Sequence, residues 1–462
     1  MSHRSLRGRV PLARTPDELP AWLIADPRRA EVVAFLAELP PPVYLVGGSI
    51  RDALLGRNTV DLDFAVDGQA IPVARALADA VQGALVVMDL ERDVARVVVG
   101  KGDAAQHWDV AGLRASTIQE DLRARDLTIN ALALPLKAPQ RLLDPTDGLA
   151  DLRRGLLRAT NGQAFFEDPV RVVRLARFRG ELGLAVEPAA RRLAREAATL
   201  LQEASPERIR DELFVLLGLP LAWRAVWYLQ RLGGLAYVLP GMPSLTRSAL
   251  GAGIDCLRAL EYWSSAWRAD DELLPRDETD PSLAAMLGGR WSEALAGGRT
   301  RWQVVKLAAI LLGAMPDSVE GAAEALRLSN AEARLLEGAV AAARELAHGL
   351  PADVPDDLAL YRFFRRYGDA GLDGAVLALA RWSAEEAQAA LRTWLDRYHE
   401  VVDPPRLVTG RDVMRVGGIE AGPRVGDMLE AVREAQVVGE LDSRVQALSW
   451  LAQRAADEHE QS

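Results

Sequence analysis

The chain has 462 residues, of which 49% are hydrophobic and 26% charged, with a formal net charge of −10. That length exceeds one ordinary core and points to roughly three or four modules of ordinary soluble composition, while the acidic balance argues against a broadly basic nucleic-acid binder. No apolar run approaches the ~20 residues of a membrane span and the basic N-terminal stretch lacks an apolar signal core, so a cytoplasmic protein with no membrane partner is expected.

Residues 28–39 read as a short amphipathic helix ending before Pro40-Pro41-Pro42. VYLVGG (43–48) is an apolar strand running into a diglycine, and SIRDALLG (49–56) a helix closed by Gly56. VDLDFAV (60–66) alternates polar and apolar residues as a strand does. A helix over 71–82 and strands at 84–89, 95–100 and 106–111 complete a small mixed α/β sheet region that ends near residue 150. Beyond it helical periodicity dominates. Residues 151–215 are arginine-rich, and 171–179 carry four arginines and no acid, a local stripe able to hold phosphates on an acidic protein. Residues 216–400 are rich in Ala and Leu; they include Cys256, the one cysteine of the chain, which excludes an internal disulfide or a thiolate metal cluster and reads as a small buried residue. Residues 265–300 read as a loop or frayed connection, and 403–412 as a break before a last helical module at 410–457. The fold class expected is α+β, a mixed-sheet head followed by all-helical segments.

Gly47 and Gly48 let the backbone approach a bulky anion, the helix after them turns unpaired N–H groups toward it, and Arg51 adds a cation; the plain alternative is a turn. Asp61 and Asp63, two apart on a strand, project to one side and repel unless a hard divalent ion such as Mg²⁺ sits between them; the alternative is a solvated strand end. Asp109 joins that pair if its strand neighbours 60–66, and three carboxylates can hold two metals. Arg114 follows as a phosphate ligand. Arg125, Asp126 and Asn130 crowd one short stretch, and the four-residue spacing of the last two predicts one helix face serving ribose and phosphate, or else a helix cap. Asp168 reads as the cap of a helix with Pro169 in its first turn, whose Arg171, Arg174 and Arg177 line one face. Asp168 and Arg171 together offer acceptors and donors to a base edge; the alternative is a surface salt-bridge face.

Taken in order, these segments resemble the bacterial-type (class II) tRNA nucleotidyltransferases, the CCA-adding enzymes and their poly(A) polymerase relatives. LVGGSIRDALLGRNTVDLDFAV, RDLTINALAL, LLDPTDGLADLRRGLLRAT, EDPVRVVRLARF and ERIRDEL carry the resemblance over about residues 43–213, and 407–441 look like the family's C-terminal segment. The resemblance implies an N-terminal extension (1–40), a catalytic nucleotidyltransferase head (41–150), a helical neck (151–215), a body (216–402) and a tail (403–462). It implies Mg²⁺ on Asp61, Asp63 and Asp109, and CTP and ATP as substrates. Gly47, Gly48 and Arg51 would meet the triphosphate, with Arg114 nearby, and Arg125, Asp126 and Asn130 would lie along ribose and triphosphate. Asp168 and Arg171 would choose C or A, and Arg174 and Arg177 would add phosphate contacts. The later helices would grip the tRNA acceptor arm by shape and backbone. Ala124 stands where the family has an arginine, and Leu127 where phenylalanine is common. Only five residues, ASTIQ, separate Arg114 from Glu120. That short loop resembles CC-adding members, so the resemblance leaves CC, A and CCA addition open. The five histidines, His3, His107, His348, His399 and His459, are none of them followed by Asp, and KLAAILLGAMPDS (306–318) reads as an apolar helix, so no phosphohydrolase activity is expected. A poly(A) polymerase is the rival reading, opposed by the acidic end AADEHEQS; an inactive RNA-binding homologue is opposed by the retention of all three aspartates. The sequence carries no signal for oligomeric state.

Overall fold

The computed structural model describes residues 10–57, 59, 61–100, 105–137, 141–239, 247–268, 281–351 and 356–460. The chain divides into two compact units, Met1–Arg208 with Tyr228–Tyr237, and Ile209–Trp227 with Val238–Ser462. The fold is α+β, with the sheet in the first unit. Among the described residues no helix is long and apolar enough to cross a membrane.

In the first unit, α1 (Leu19–Ala25) and α2 (Pro27–Glu38) precede β1 (Val43–Val46), α3 (Gly48–Leu54), β2 (Leu62–Val66), α4 (Ala70–Ala80), β3 (Ala84–Asp89), β4 (Val94–Val99), β5 (Gln106–Gly112), α5 (Ile118–Arg123) and β6 (Ala133–Pro135). The strands pair in the order β3-β4-β5-β2-β1-β6; β2 and β5 run parallel and their neighbours antiparallel. Strand alternation sorts the faces. Val97, Trp108 and Leu62 form one cross-strand row, and Ala95, Val110 and Phe64 another; both are buried, on the face where α4 contributes Val73, Ala74 and Leu77. The row between them is Arg96, Asp109 and Asp63, which therefore looks out from the opposite face. On that face α5 packs Ile118 and Leu122 against Val46, Ala65, Ala131 and Ala133, beside the row. Helices α6 (Gly148–Arg154), α7 (Ala164–Glu167), α8 (Val170–Leu182) and α9 (Pro188–Ala197), with the short strands β7 (Leu156–Leu157) and β8 (Ala185–Val186), complete this unit.

The second unit is helical. The unit boundary falls within α10 (Pro206–Leu217) and again within α11 (Ala222–Leu232), whose end, with nearly all of α12 (Leu235–Val238), belongs to the first unit; α13 (Arg247–Arg268), α14 (Pro281–Trp291), α15 (Arg301–Leu311), α16 (Pro316–Ala325), α17 (Asn330–His348), α18 (Asp356–Tyr367), α19 (Asp369–Trp382) and α20 (Glu385–Asp396) follow in the second. Two ionic clusters are sealed in its core. Lys306 meets Glu261 at 2.7 Å, and Glu261 also accepts from the N–H groups of Ala222 and Trp223. Arg301 and the indole N–H of Trp291 both donate to Asp373. Cys256 is buried, and burial pushes its thiol up to about 12. The last helices, α21 (Gly410–Gly417), α22 (Pro423–Val437) and α23 (Arg444–Glu460), close on their own core of Val413, Met428, Val432 and Leu451.

Two sequence expectations are corrected here. The segment 265–300 is mostly helical where it is described, in the end of α13, in α14 and near the start of α15; its Asp and Pro cluster at 269–280 lies outside the described residues. The apolar helix expected over 306–318 ends at Leu311, and Pro316 opens the next helix; Lys306 within it is an ion-paired core residue.

Candidate active site

The chain leaves β1 through Gly47, whose φ of +75° is a left-handed conformation that L side chains rarely adopt. A Cβ there would stand 3.2 Å from Arg125 Nη1 and 3.9 Å from Asp63 Oδ2, so the absence of a side chain is what lets these groups meet. Gly48 opens α3, and Arg51 on that helix is buried. Its Nη1 donates to Asn130 Oδ1 at 2.6 Å, and its Nε and Nη2 both donate to Asp52. Asn130 Nδ2 in turn donates to Asp126 Oδ1 at 3.1 Å, and Arg174 Nε to Asp126 Oδ2 at 2.9 Å. Burial alone would raise the Asp126 carboxyl, but the charge of Arg174 and the hydrogen bonds from Asn130, Arg174 and the Leu127 N–H hold it far below the usual range. Asp126 and Asn130 do meet, though not on a helix: Leu127 is extended and Thr128–Asn130 is a 3-10 turn. The Leu127 N–H is taken by the Asp126 side chain and the Thr128 N–H by the Arg158 carbonyl, so neither donates back to the preceding residues, and only the short turn closed by the Asn130 and Ala131 N–H groups forms.

Asp63 and Asp109 are register partners across the parallel pair β2–β5. Asp63 lines a cavity of about 530 Å³, is exposed, and makes no hydrogen bond or ion pair with a described residue. Loss of solvent, then the charge of Asp109, push its carboxyl up to about 6, against the pull of Arg125; Asp61 adds to the push. Asp61 itself lies just before β2 rather than on it, is 61% exposed, and accepts from the His107 N–H at 3.0 Å. Asp109 is gripped at both oxygens by Arg96, at 2.7 and 2.8 Å. Among the described residues, no three His, Cys, Asp or Glu side chains stand close enough together to hold a metal ion. The three-carboxylate cage expected from the sequence is thus not assembled in this conformation, because the β5 backbone engages Asp61 and a guanidinium engages Asp109. The donor set itself suits a hard divalent cation. A carboxylate with no partner among the described residues and with raised proton affinity is the register partner of a second carboxylate on the next strand.

The rest of the cavity lining is rich in cations. Arg114, Arg125, Arg171, Arg174, Arg177 and Arg208 are all part of it. The Arg114 guanidinium bonds to no described residue, and desolvation, with the nearby charges of Arg125, Arg171 and Arg92, lowers its proton affinity against the opposing charge of Asp121, as expected of a cation awaiting an anion. Arg125 is braced by Asp121 through Nε and Nη2. Arg51, Arg174 and Arg177 gather around the ring of Phe178, the nearest 4.1 Å from its centroid. Asp168 does not cap α8, whose N-cap is Pro169 with no side-chain cap bond. Asp168 Oδ2 instead accepts from Arg208 at 2.7 Å, and its buried Oδ1 has no hydrogen-bond partner among the described residues. Arg171 donates to the carbonyls of Ala124 and Ala164 and stands 3.7 Å from Asp168.

All of the expected residues except Asp61 line this one cavity. Sequence reasoning gave no role to Arg96, Asp52, Asp121, Phe178 or Arg208. Asp52, Phe178 and Arg208 carried a signal in their places within SIRDALLG, EDPVRVVRLARF and ERIRDEL; Arg96 and Asp121 act through contacts that spacing does not disclose.

Comparison with known proteins adds the rest. The family model described as "Poly A polymerase head domain" matches residues 43–158, the "Probable RNA and SrmB- binding site of polymerase A" residues 183–245, and a tRNA nucleotidyltransferase domain 2 residues 299–451. The CC-adding tRNA nucleotidyltransferase of Geobacter sulfurreducens is 36% identical over 415 residues, 89% of this chain and 91% of that protein. The A-adding tRNA nucleotidyltransferase of Deinococcus radiodurans is 31% identical over 446 residues, 92% of this chain and 98% of that protein. A solved apo structure of a CCA-adding enzyme superposes with a TM-score of 0.68 at 22% identity, over 94% of this chain and 96% of that one, a likeness of fold.

Proposed function

The chain belongs to the family of tRNA nucleotidyltransferases, and from that premise we propose that it adds two cytidylates to the 3′ end of tRNA, without a template, from CTP and with Mg²⁺. The observation that carries the reading is the cavity in which Asp63, without a partner among the described residues and with Asp109 as its register partner, shares the lining with seven guanidinium groups. Asp63 and Asp109, with Asp61 once it leaves the His107 N–H, would hold divalent ions, which would supply a lowered pKa for the attacking 3′-hydroxyl and charge for the departing pyrophosphate. The remaining work belongs to the chain. Arg114 and Arg125 hold phosphate oxygens, and the side-chain-free Gly47–Gly48 turn admits them. The Asp126–Asn130–Arg51–Asp52 chain, with Arg174, fixes the ribose end of the cavity. Asp168 Oδ1 is an acceptor awaiting a donor, and the exocyclic amino group of cytosine is one where uracil offers a carbonyl. Arg208 and Arg171 hold Asp168 in place. We assign 41–150 to catalysis, 151–215 to nucleotide choice, and the helical remainder to gripping the acceptor arm.

The preference for CC addition rests on the connection after Arg114. Thr117 caps α5, so Ala115 and Ser116 alone separate Arg114 from the capped helix, leaving no room for a long mobile loop beside the cavity. The Geobacter relative named as CC-adding supports it, and the Deinococcus relative named as A-adding supplies the rival outcome.

The test is a tRNA lacking its last three nucleotides, incubated with Mg²⁺ and either CTP or ATP. Incorporation of two cytidylates and then arrest is expected. Adenylate added after them denotes a CCA-adding enzyme, a long A tail a poly(A) polymerase, and RNA binding without incorporation an inactive homologue. Asp61→Ala and Asp63→Ala are each expected to abolish transfer while tRNA affinity stays within a few-fold.

A further inference from the structure

We propose that Arg96 is a docking residue for the last phosphodiester of the RNA strand being extended, and that it leaves Asp109 to take that phosphate. The proposal rests on the metal reading of Asp63 and Asp109 given above. It starts from the row of register partners Val86, Arg96, Asp109 and Asp63, which crosses four strands on one sheet face. The nucleotide cavity takes in Asp63 and Asp109 but not Arg96. Arg96 stands on the far side of Asp109, toward the edge strand β3, with Val86 beyond it 44% exposed. Transfer of a nucleotidyl group is an in-line displacement, in which the attacking oxygen arrives opposite the leaving pyrophosphate. With the triphosphate held among Arg114 and Arg125, the RNA terminus has to approach the carboxylates from the side that Arg96 occupies.

Arg96 is also poorly placed to remain where it is. It holds both Asp109 oxygens, so it neutralises a carboxylate that a cation needs, and puts its own positive charge beside that cation's position. The two side chains are 35% and 33% exposed, and a pair so open to water is only weakly held. A phosphodiester offers the same fork-shaped partner, so exchanging carboxylate for phosphate costs little. Arg96 then becomes the link between two ligands. When RNA draws it away, Asp109 is released to the metal, and by reciprocity a bound metal favours RNA.

Mn²⁺ binding, followed by electron paramagnetic resonance without any nucleoside triphosphate, tests this on the intact protein. The RNA is a hairpin with one unpaired 3′ nucleotide, made with its natural last phosphodiester or with a neutral methylphosphonate there. In the wild type the natural RNA should tighten Mn²⁺ roughly five-fold or more, and the methylphosphonate RNA should not. Arg96→Gln should bind Mn²⁺ more tightly than wild type in the absence of RNA and gain nothing from either RNA. Arg96→Lys, which keeps the charge but loses the fork, should fall between and serves if the Gln variant does not fold. Unchanged RNA-free affinity in both Arg96 variants, or equal effects of the two RNAs, would overturn the proposal. Asp63→Asn separates this from the premise. If it leaves Mn²⁺ affinity intact, the metal reading itself fails; if it abolishes binding while the Arg96 variants behave as wild type, only the role of Arg96 is lost.

Discussion

At Asp63 two requirements pull against each other: the site needs an ionised carboxylate, while its surroundings raise the proton affinity to about 6. Because this value stands above the 3.8 of an unperturbed aspartate, proton uptake favours the folded state at acid pH, and that contribution disappears as pH rises through about 6. Cation binding runs in the opposite direction, since proton and metal compete for one carboxylate. Mn²⁺ affinity is therefore expected to weaken as pH falls through about 6, approaching tenfold per pH unit for competition by a single proton. Asp63→Asn should remove that dependence and lower CTP incorporation on the order of a thousand-fold. An affinity flat from pH 7 to 5 would take Asp63 out of the metal site. Which aspartates matter was legible in the sequence; that Asp61 and Asp109 are engaged elsewhere was not, because a carboxylate's partner depends on a rotamer and on a neighbour 46 or 13 residues away.

Among the elements, the turn at Thr128–Asn130 shows how a short segment presents a functional side chain. It is pinned by the start of α6, where Gly148 approaches so closely that a Cβ would lie 2.0 Å from the Thr128 carbonyl oxygen. Backbone cannot yield as a flexible side chain does. Gly148→Ala should therefore cost roughly 2–3 kcal/mol in urea denaturation and weaken CTP binding, because Asn130 moves with the turn. Wild-type values for both would show that α6 and the turn shift freely. The strands and the α8 arginine face were readable because each follows one period along the chain. The Asp126–Asn130 spacing misled because contact at four residues is shared by a helix and by a turn stabilised through side-chain bonds.

Over the whole molecule, charge is distributed against its net sign. A chain of net charge −10 gathers seven arginines around one cavity, and its helical unit seals ion pairs in its interior. Lys306→Met would leave Glu261 buried with only the Ala222 and Trp223 N–H groups for partners. A loss of about 3–5 kcal/mol is expected in thermal denaturation, with part of it restored by adding Glu261→Gln. If the single variant melts like the wild type, water reaches Glu261 and the pair is not sealed.

The residues in sequence determined the α+β class, the strand that ends in a diglycine, the aspartates and the arginine helix, since these are local periods and short motifs whose physics acts over a few neighbours. Tertiary structure alone decided that β5 lies parallel to β2 with Asp109 opposite Asp63, that Arg96 holds Asp109, and that Arg208 holds Asp168 with one oxygen left open. Strand register and side-chain pairing bring together groups far apart in the chain, and that proximity is set by how the sheet and helices pack rather than by any interval along the backbone.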